Sequence, residues 1–291
     1  MSRITATTAT ADGGYVSALP VRRTHLGDAL LSEWTKIRSV RSTMWTLGIM
    51  LVLVIGVGAL MAASQNGSMY VTDPLSGGFA GLLLGQVCVI TLGVLVVTSE
   101  YSTDMVRTTF TACPQRLRVL AAKGIVFFAL AFSLTAVAAT IAAALNYAAV
   151  DDPRIAYYET MDGMGYQGHT DALTAEVWLG ATVGAALYVA LLGLLAVGAG
   201  ALLRHTAGAV TAMLGLILLP VVIGIFLQTS GSATLANRLV EYSPLNGLAA
   251  LFGIPLESGG GTDGWELLGL LGLATAAVLA LAAWSVSRRD V

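Results

Sequence analysis

Residues 177–203 read VWLGATVGAALYVALLGLLAVGAGALL, without one Asp, Glu, Lys or Arg. A helix of about 20 residues rising about 1.5 Å each matches the roughly 30 Å hydrocarbon core of a bilayer, and an uncharged apolar run of about 18 or more is long enough to cross it. A soluble helix of this length would carry charge on its outer face, whereas this one is apolar all round. Five further stretches, 44–63, 78–98, 124–145, 206–227 and 267–287, are equally free of charge. A charged side chain at the middle of any of them would cost about 2.5–3.5 kcal/mol on insertion, which is why the charges stand elsewhere. With 291 residues, 56% hydrophobic and 11% charged, the chain is expected to be an all-α integral membrane protein with six transmembrane helices. Residues 1–43 form the longest polar segment and 44–291 the six-span domain, which leaves no separate soluble domain.

Assigning the intervening segments alternately to two sides separates the basic residues. All of the 15 Lys and Arg except Arg154 and Arg238 fall with the two termini and with segments 99–123 and 204–205. By the positive-inside rule that side is the cytoplasm, so both termini are expected inside. Trp45, Trp178 and Trp265 stand at or just before span starts, Trp284 near the end of the last span, and Trp34 in the lead-in to the first. These are the depths at which amphipathic rings settle at headgroups.

Outside the spans, residues 1–20 are rich in Thr and Ala and read as a tail. Leu26, Leu30, Trp34 and Ile37 then recur at spacings of 4, 4 and 3, which predicts an amphipathic helix lying on the inner membrane surface. Residues 228–266 are too broken by Arg238, Glu241, Pro244 and Asn246 to span, and read as a helix at the outer surface or dipping partway in, followed by a Gly-rich loop. Within the spans, Gly81 with Gly85 and Gly180 with Gly184 form GxxxG pairs, either chance products of a glycine-rich chain or points of close helix approach. Pro220 is expected to kink the fifth span, either as a structural bend or as a flexing point in transport.

Reactive chemistry is sparse. There is no HExxH, GxSxG or intramembrane carboxylate pair, and His25, His169 and His205 lie in separate polar segments. Cys88 and Cys113 read as packing residues, and no set of residues has metal-ligand spacing. No ionisable group marks an ion path inside a span. The GxxxxGK[ST] loop that cradles nucleotide phosphates is also missing, so any ATP-driven role requires a separate subunit.

The most informative polar segment runs from Ser99 to Lys123. Glu100 and Asp104 are four apart and Asp104 and Arg107 three apart, a pattern compatible with a short surface helix ending before Pro114, although spacing alone favours a solvated connector. Here, and in Ser32-Glu-Trp-Thr-Lys-Ile-Arg-Ser39, Ser99-Glu-Tyr-Ser-Thr103, Met105-Val-Arg-Thr-Thr109, Arg118-Val-Leu-Ala-Ala-Lys123, Tyr242, Pro244, Asn246 and the closing Arg288-Arg-Asp290, the chain resembles the permease subunits of type-2 ABC transporters, particularly actinobacterial ones. The resemblance implies a membrane subunit of an ATP-driven exporter in the bacterial plasma membrane. It further implies a short cytoplasmic coupling helix between spans two and three that docks on a cytoplasmic ABC ATPase subunit. Glu100, Tyr101, Ser102, Thr103, Asp104, Arg107, Thr108 and Thr109 would carry the ATPase coupling. A second permease copy or homologue would complete the transporter, with membrane lipid around it, no nucleic acid, and ATP bound by the partner alone. A non-transporting scaffold or sensor that binds a partner through the same loop is the alternative reading, and the transported substrate stays open.

Overall fold

The computed structural model describes residues 25–65, 75–102, 116–149, 154–160, 166–172, 174–229, 231–254, 256 and 262–288. Helix α1, Leu26–Ser39, begins where His25 N donates to Asp28 Oδ2, and ends at Val40, a single residue in extended conformation. That one residue redirects the chain into α2, Arg41–Gln65. Then come α3, Ser76–Ser102, and α4, Arg116–Ala148, followed by a two-stranded antiparallel hairpin of β1, Arg154–Thr160, and β2, Tyr166–Ala172. Helix α5 spans Ala175–Leu203 and includes a wider π-helical turn at Gly180–Gly184. Helix α6, Thr206–Thr229, runs through Pro220 without a break. The short helices α7, Ala233–Glu241, and α8, Pro244–Leu251, precede α9, Gly264–Arg288.

Six of these helices, α2, α3, α4, α5, α6 and α9, are long and apolar enough to cross a membrane, and the protein is a multi-pass helical membrane protein. The third of them starts at Leu117, seven residues before the uncharged stretch begins, and carries Lys123 inside it. The hairpin is an addition to the expected all-helical chain, and falls in the polar segment between the third and fourth spans. Residues 103–115, where the coupling helix is expected, lie outside the described residues, as do residues 1–24.

Helix α5 is the centre of the bundle, with Tyr188, Val189, Ala190, Leu192, Ala196 and Val197 all at most 2% exposed. Small residues let its neighbours come close, as membrane helices need when apolar burial alone gives no preference between lipid and protein. A side chain on Gly93 of α3 would run into the Gly193 carbonyl of α5, so the two backbones meet directly there. Gly81 and Gly85 similarly face Val54 of α2, where an added Cβ at Gly81 would lie 2.6 Å from the Val54 carbonyl oxygen. Helix α8 is buried through Asn246, Gly247, Leu248, Ala249 and Leu251, and Leu251 reaches the π-helical turn at Gly180.

Candidate functional site: a buried charge square at the α1 end

Four ionisable side chains from three helices meet where α1, the end of α3 and the start of α4 converge. Glu33 and Lys36 are one turn apart on α1 and so share a face. Glu100 stands two residues before the end of α3, and Lys123 two turns into α4. Lys36 Nζ lies 2.5 Å from Glu100 Oε1 and 3.3 Å from Glu33 Oε1. Lys123 Nζ lies 3.0 Å from Glu100 Oε1 and 2.8 Å from Glu33 Oε2. Each carboxylate therefore touches both ammonium groups, and the four form a closed square of alternating sign with no net charge.

Burial makes this arrangement obligatory. Glu33 is 4%, Glu100 8% and Lys123 3% exposed, and an isolated ion at that depth would carry a desolvation penalty of several kcal/mol. Alternation of sign removes most of the penalty, because charge-assisted hydrogen bonds replace water on both partners. Lys36 is the most accessible corner. Partial burial alone would lower its pKa, but the hydrogen bond and charge of Glu100 and the charge of Glu33 outweigh that and raise it above the ordinary lysine value.

On its other side the end of α3 is held to the α5–α6 turn. Thr206 Oγ1 donates to Thr98 Oγ1 at 2.9 Å, and the Arg204 guanidinium lies over the Tyr101 ring, 5.0 Å from its centroid. Arg204 has φ 51°, a left-handed conformation that ends α5, with its N–H donating to the Gly200 carbonyl at 2.9 Å. The last turn of α3 is thus gripped by α1 and α4 through charge and by the α5–α6 turn through a hydroxyl pair and a cation–π contact.

Of the residues expected to carry coupling, Glu100 is in the square, Tyr101 is under Arg204, and Ser102 is the last residue of α3. Thr103, Asp104, Arg107, Thr108 and Thr109 lie outside the described residues. Along α1 the expected apolar face divides. Ile37 is buried against the bundle, Leu30 is half-buried, and Leu26 and Trp34 are 42% and 46% exposed. The buried partner of Ile37 is instead Glu33, which periodicity of apolar residues does not select. The available signal was charge. Lys123 borders an uncharged run, and Glu33 with Lys36 makes an i, i+3 pair of opposite sign.

Among the described residues, no three His, Cys, Asp or Glu side chains are gathered to hold a metal ion. No protein-family model and no curated protein matches this chain.

Proposed function

We propose that the chain is the membrane-spanning permease subunit of an ATP-driven exporter, working with a separate cytoplasmic ATPase in the bacterial plasma membrane. The observation that carries this reading is the charge square, because it joins three helices at the root of the 103–115 segment, which holds part of the family resemblance. A push on that segment passes into the end of α3 and from there, through Glu100, into α1 and α4 together. The Thr98–Thr206 and Arg204–Tyr101 contacts carry the same displacement toward α5 and α6. In this reading Glu100 acts through its two lysines, while Arg107 contributes a polar contact to the ATPase. The basic side of the chain faces the cytoplasm, both termini lie there, and a second permease copy or homologue completes the pathway. Hydrolysis in this reading belongs to the partner, which the lack of a phosphate-binding loop in the sequence supports.

The test is co-purification followed by an activity measurement. Gently solubilised protein should bring down a nucleotide-binding subunit, and reconstitution should stimulate that subunit's ATPase activity. Arg107→Ala should abolish the stimulation while leaving membrane insertion intact. If no nucleotide-binding subunit is ever retained, the transport reading falls and a scaffold or sensor role takes its place. Unchanged stimulation in the variant would remove Arg107 from the coupling surface.

A further inference from the structure

Beside the charge square lies a cavity of about 150 Å³ between α1, the start of α2 and the end of α3. Its lining is polar at Glu33, Lys36, Glu100 and Lys123 and apolar at Val40, Leu92, Leu95 and Val96. Ser42 and Thr43 add hydroxyls to the lining. The volume is several times that of a water molecule. Val40 on the cavity lining and Met44 and Trp45 in the first turns of α2 are 42%, 41% and 73% exposed.

Among the described residues, the square leaves specific valences unused. Both lysines donate to Oε1 of Glu100, and no described residue donates to its Oε2. Each ammonium has three donors, of which Lys36 and Lys123 use two apiece in the square. The cavity wall thus offers one acceptor on a carboxylate and spare donors on two ammonium groups, at a site whose own charge is balanced. A simple anion would meet the two carboxylates and a simple cation the two lysines, so neither is favoured. A ligand carrying both signs a few bonds apart meets both needs.

We infer that this cavity holds the headgroup of a membrane phospholipid that combines a primary ammonium with a phosphate. The ammonium donates to Glu100 Oε2, and the phosphate accepts from Lys36 and Lys123. The acyl chains leave along Val40, Met44 and Trp45 into the surrounding bilayer. A lipid fits better than a soluble zwitterion because the cavity has a partly apolar lining and opens beside the first span. A choline headgroup has no N–H to give to Glu100, and a glycerol headgroup has no positive charge.

This inference depends on membrane location and not on the transport reading, so its test uses lipid binding alone. The full chain in detergent would be mixed with dioleoyl phosphatidylethanolamine, phosphatidylcholine or phosphatidylglycerol, and retained lipid counted by native mass spectrometry. The ethanolamine lipid is expected to be retained about tenfold more tightly than either of the others, the effect of one charge-assisted hydrogen bond that they cannot make. Thr43→Trp and Ser42→Trp fill the cavity while keeping all four charges, and should remove that preference. Ser133→Trp, on an exposed face of α4, should leave it unchanged. Equal retention of the three lipids by the unaltered chain would overturn the inference, as would a preference that survives both cavity-filling variants.

Discussion

The two ends of the bundle bury polar groups in opposite ways. At the α1 end the buried groups are ions, Glu33, Glu100 and Lys123 with half-buried Lys36, each satisfied by the opposite charge. At the far end they are neutral amides. Asn146, fully buried, donates from Nδ2 to the Gly58 and Ala142 carbonyls at 3.0 and 2.8 Å, tying α4 to α2. Asn246, also fully buried, donates from Nδ2 to the Glu241 carbonyl and accepts at Oδ1 from Leu256 N–H, while its own N–H is capped by Ser243 Oγ. Asn246 bonds to nearby backbone and locks a turn in place, and Asn146 ties one helix to another through a single carbonyl, whereas the neutral ionic square joins three helices at once. Each amide fixes a single contact and the square holds three helices together, which is why the α1 end is the candidate site.

The difference predicts unequal responses to deletion. Lys123→Met should have the largest effect, about 3–5 kcal/mol of lost stability, because it leaves two buried carboxylates facing each other with one cation. Thermal unfolding in detergent measures it, and adding Glu33→Gln should restore much of the loss by removing the surplus negative charge. If Lys123→Met melted like the native protein, the square would not be the device that joins α1 to α4. At the far end Asn246→Ala should cost less, about 1–3 kcal/mol, since it strands a carbonyl and an N–H but no charge. A loss as great as that of Lys123→Met would erase the distinction between the ends.

The smallest effect is that of pH. A lysine whose folded pKa is raised contributes stability that is fully present below its unfolded value, near 10.5, and is lost as pH rises through the folded value. The contribution of Lys36 is therefore expected to be constant from neutral pH up to about 10 and to fall only above that. Unfolding midpoints across a pH series should differ between native protein and Lys36→Met by a constant amount until that alkaline limit. A step in the difference near neutral pH would place Lys36 outside the square.

The spans were legible because charge is excluded from hydrocarbon for reasons of composition alone. Their ends were less so. Taking charge as a boundary put the third span's start after Lys123, yet the helix begins earlier and encloses that lysine, since Glu33 and Glu100 neutralise it from two other helices. The hairpin left a fainter trace in aromatic and β-branched residues such as Ile155, Tyr157 and Tyr158, with Asp162-Gly163 between the strands as a turn signal. Glu100 and Lys36 stood in the motifs that carried the family resemblance, but nothing in their spacing showed that they meet across 64 residues.

What the sequence determined by itself was the number of spans, their approximate limits and the side on which basic charge collects, because transfer into hydrocarbon depends on local composition. What only the tertiary structure decided was which spans lie inside. The fourth and fifth have similar mean hydropathy, 2.3 and 2.7, yet 67% of the apolar window is buried in one and 17% in the other. Hydropathy does not separate them, because lipid tails are as apolar as a protein core and the sorting is done by fit. Gly93 against Gly193 puts α5 at the centre, and the balanced charges of Glu33, Lys36, Glu100 and Lys123 fix α1 against α3 and α4.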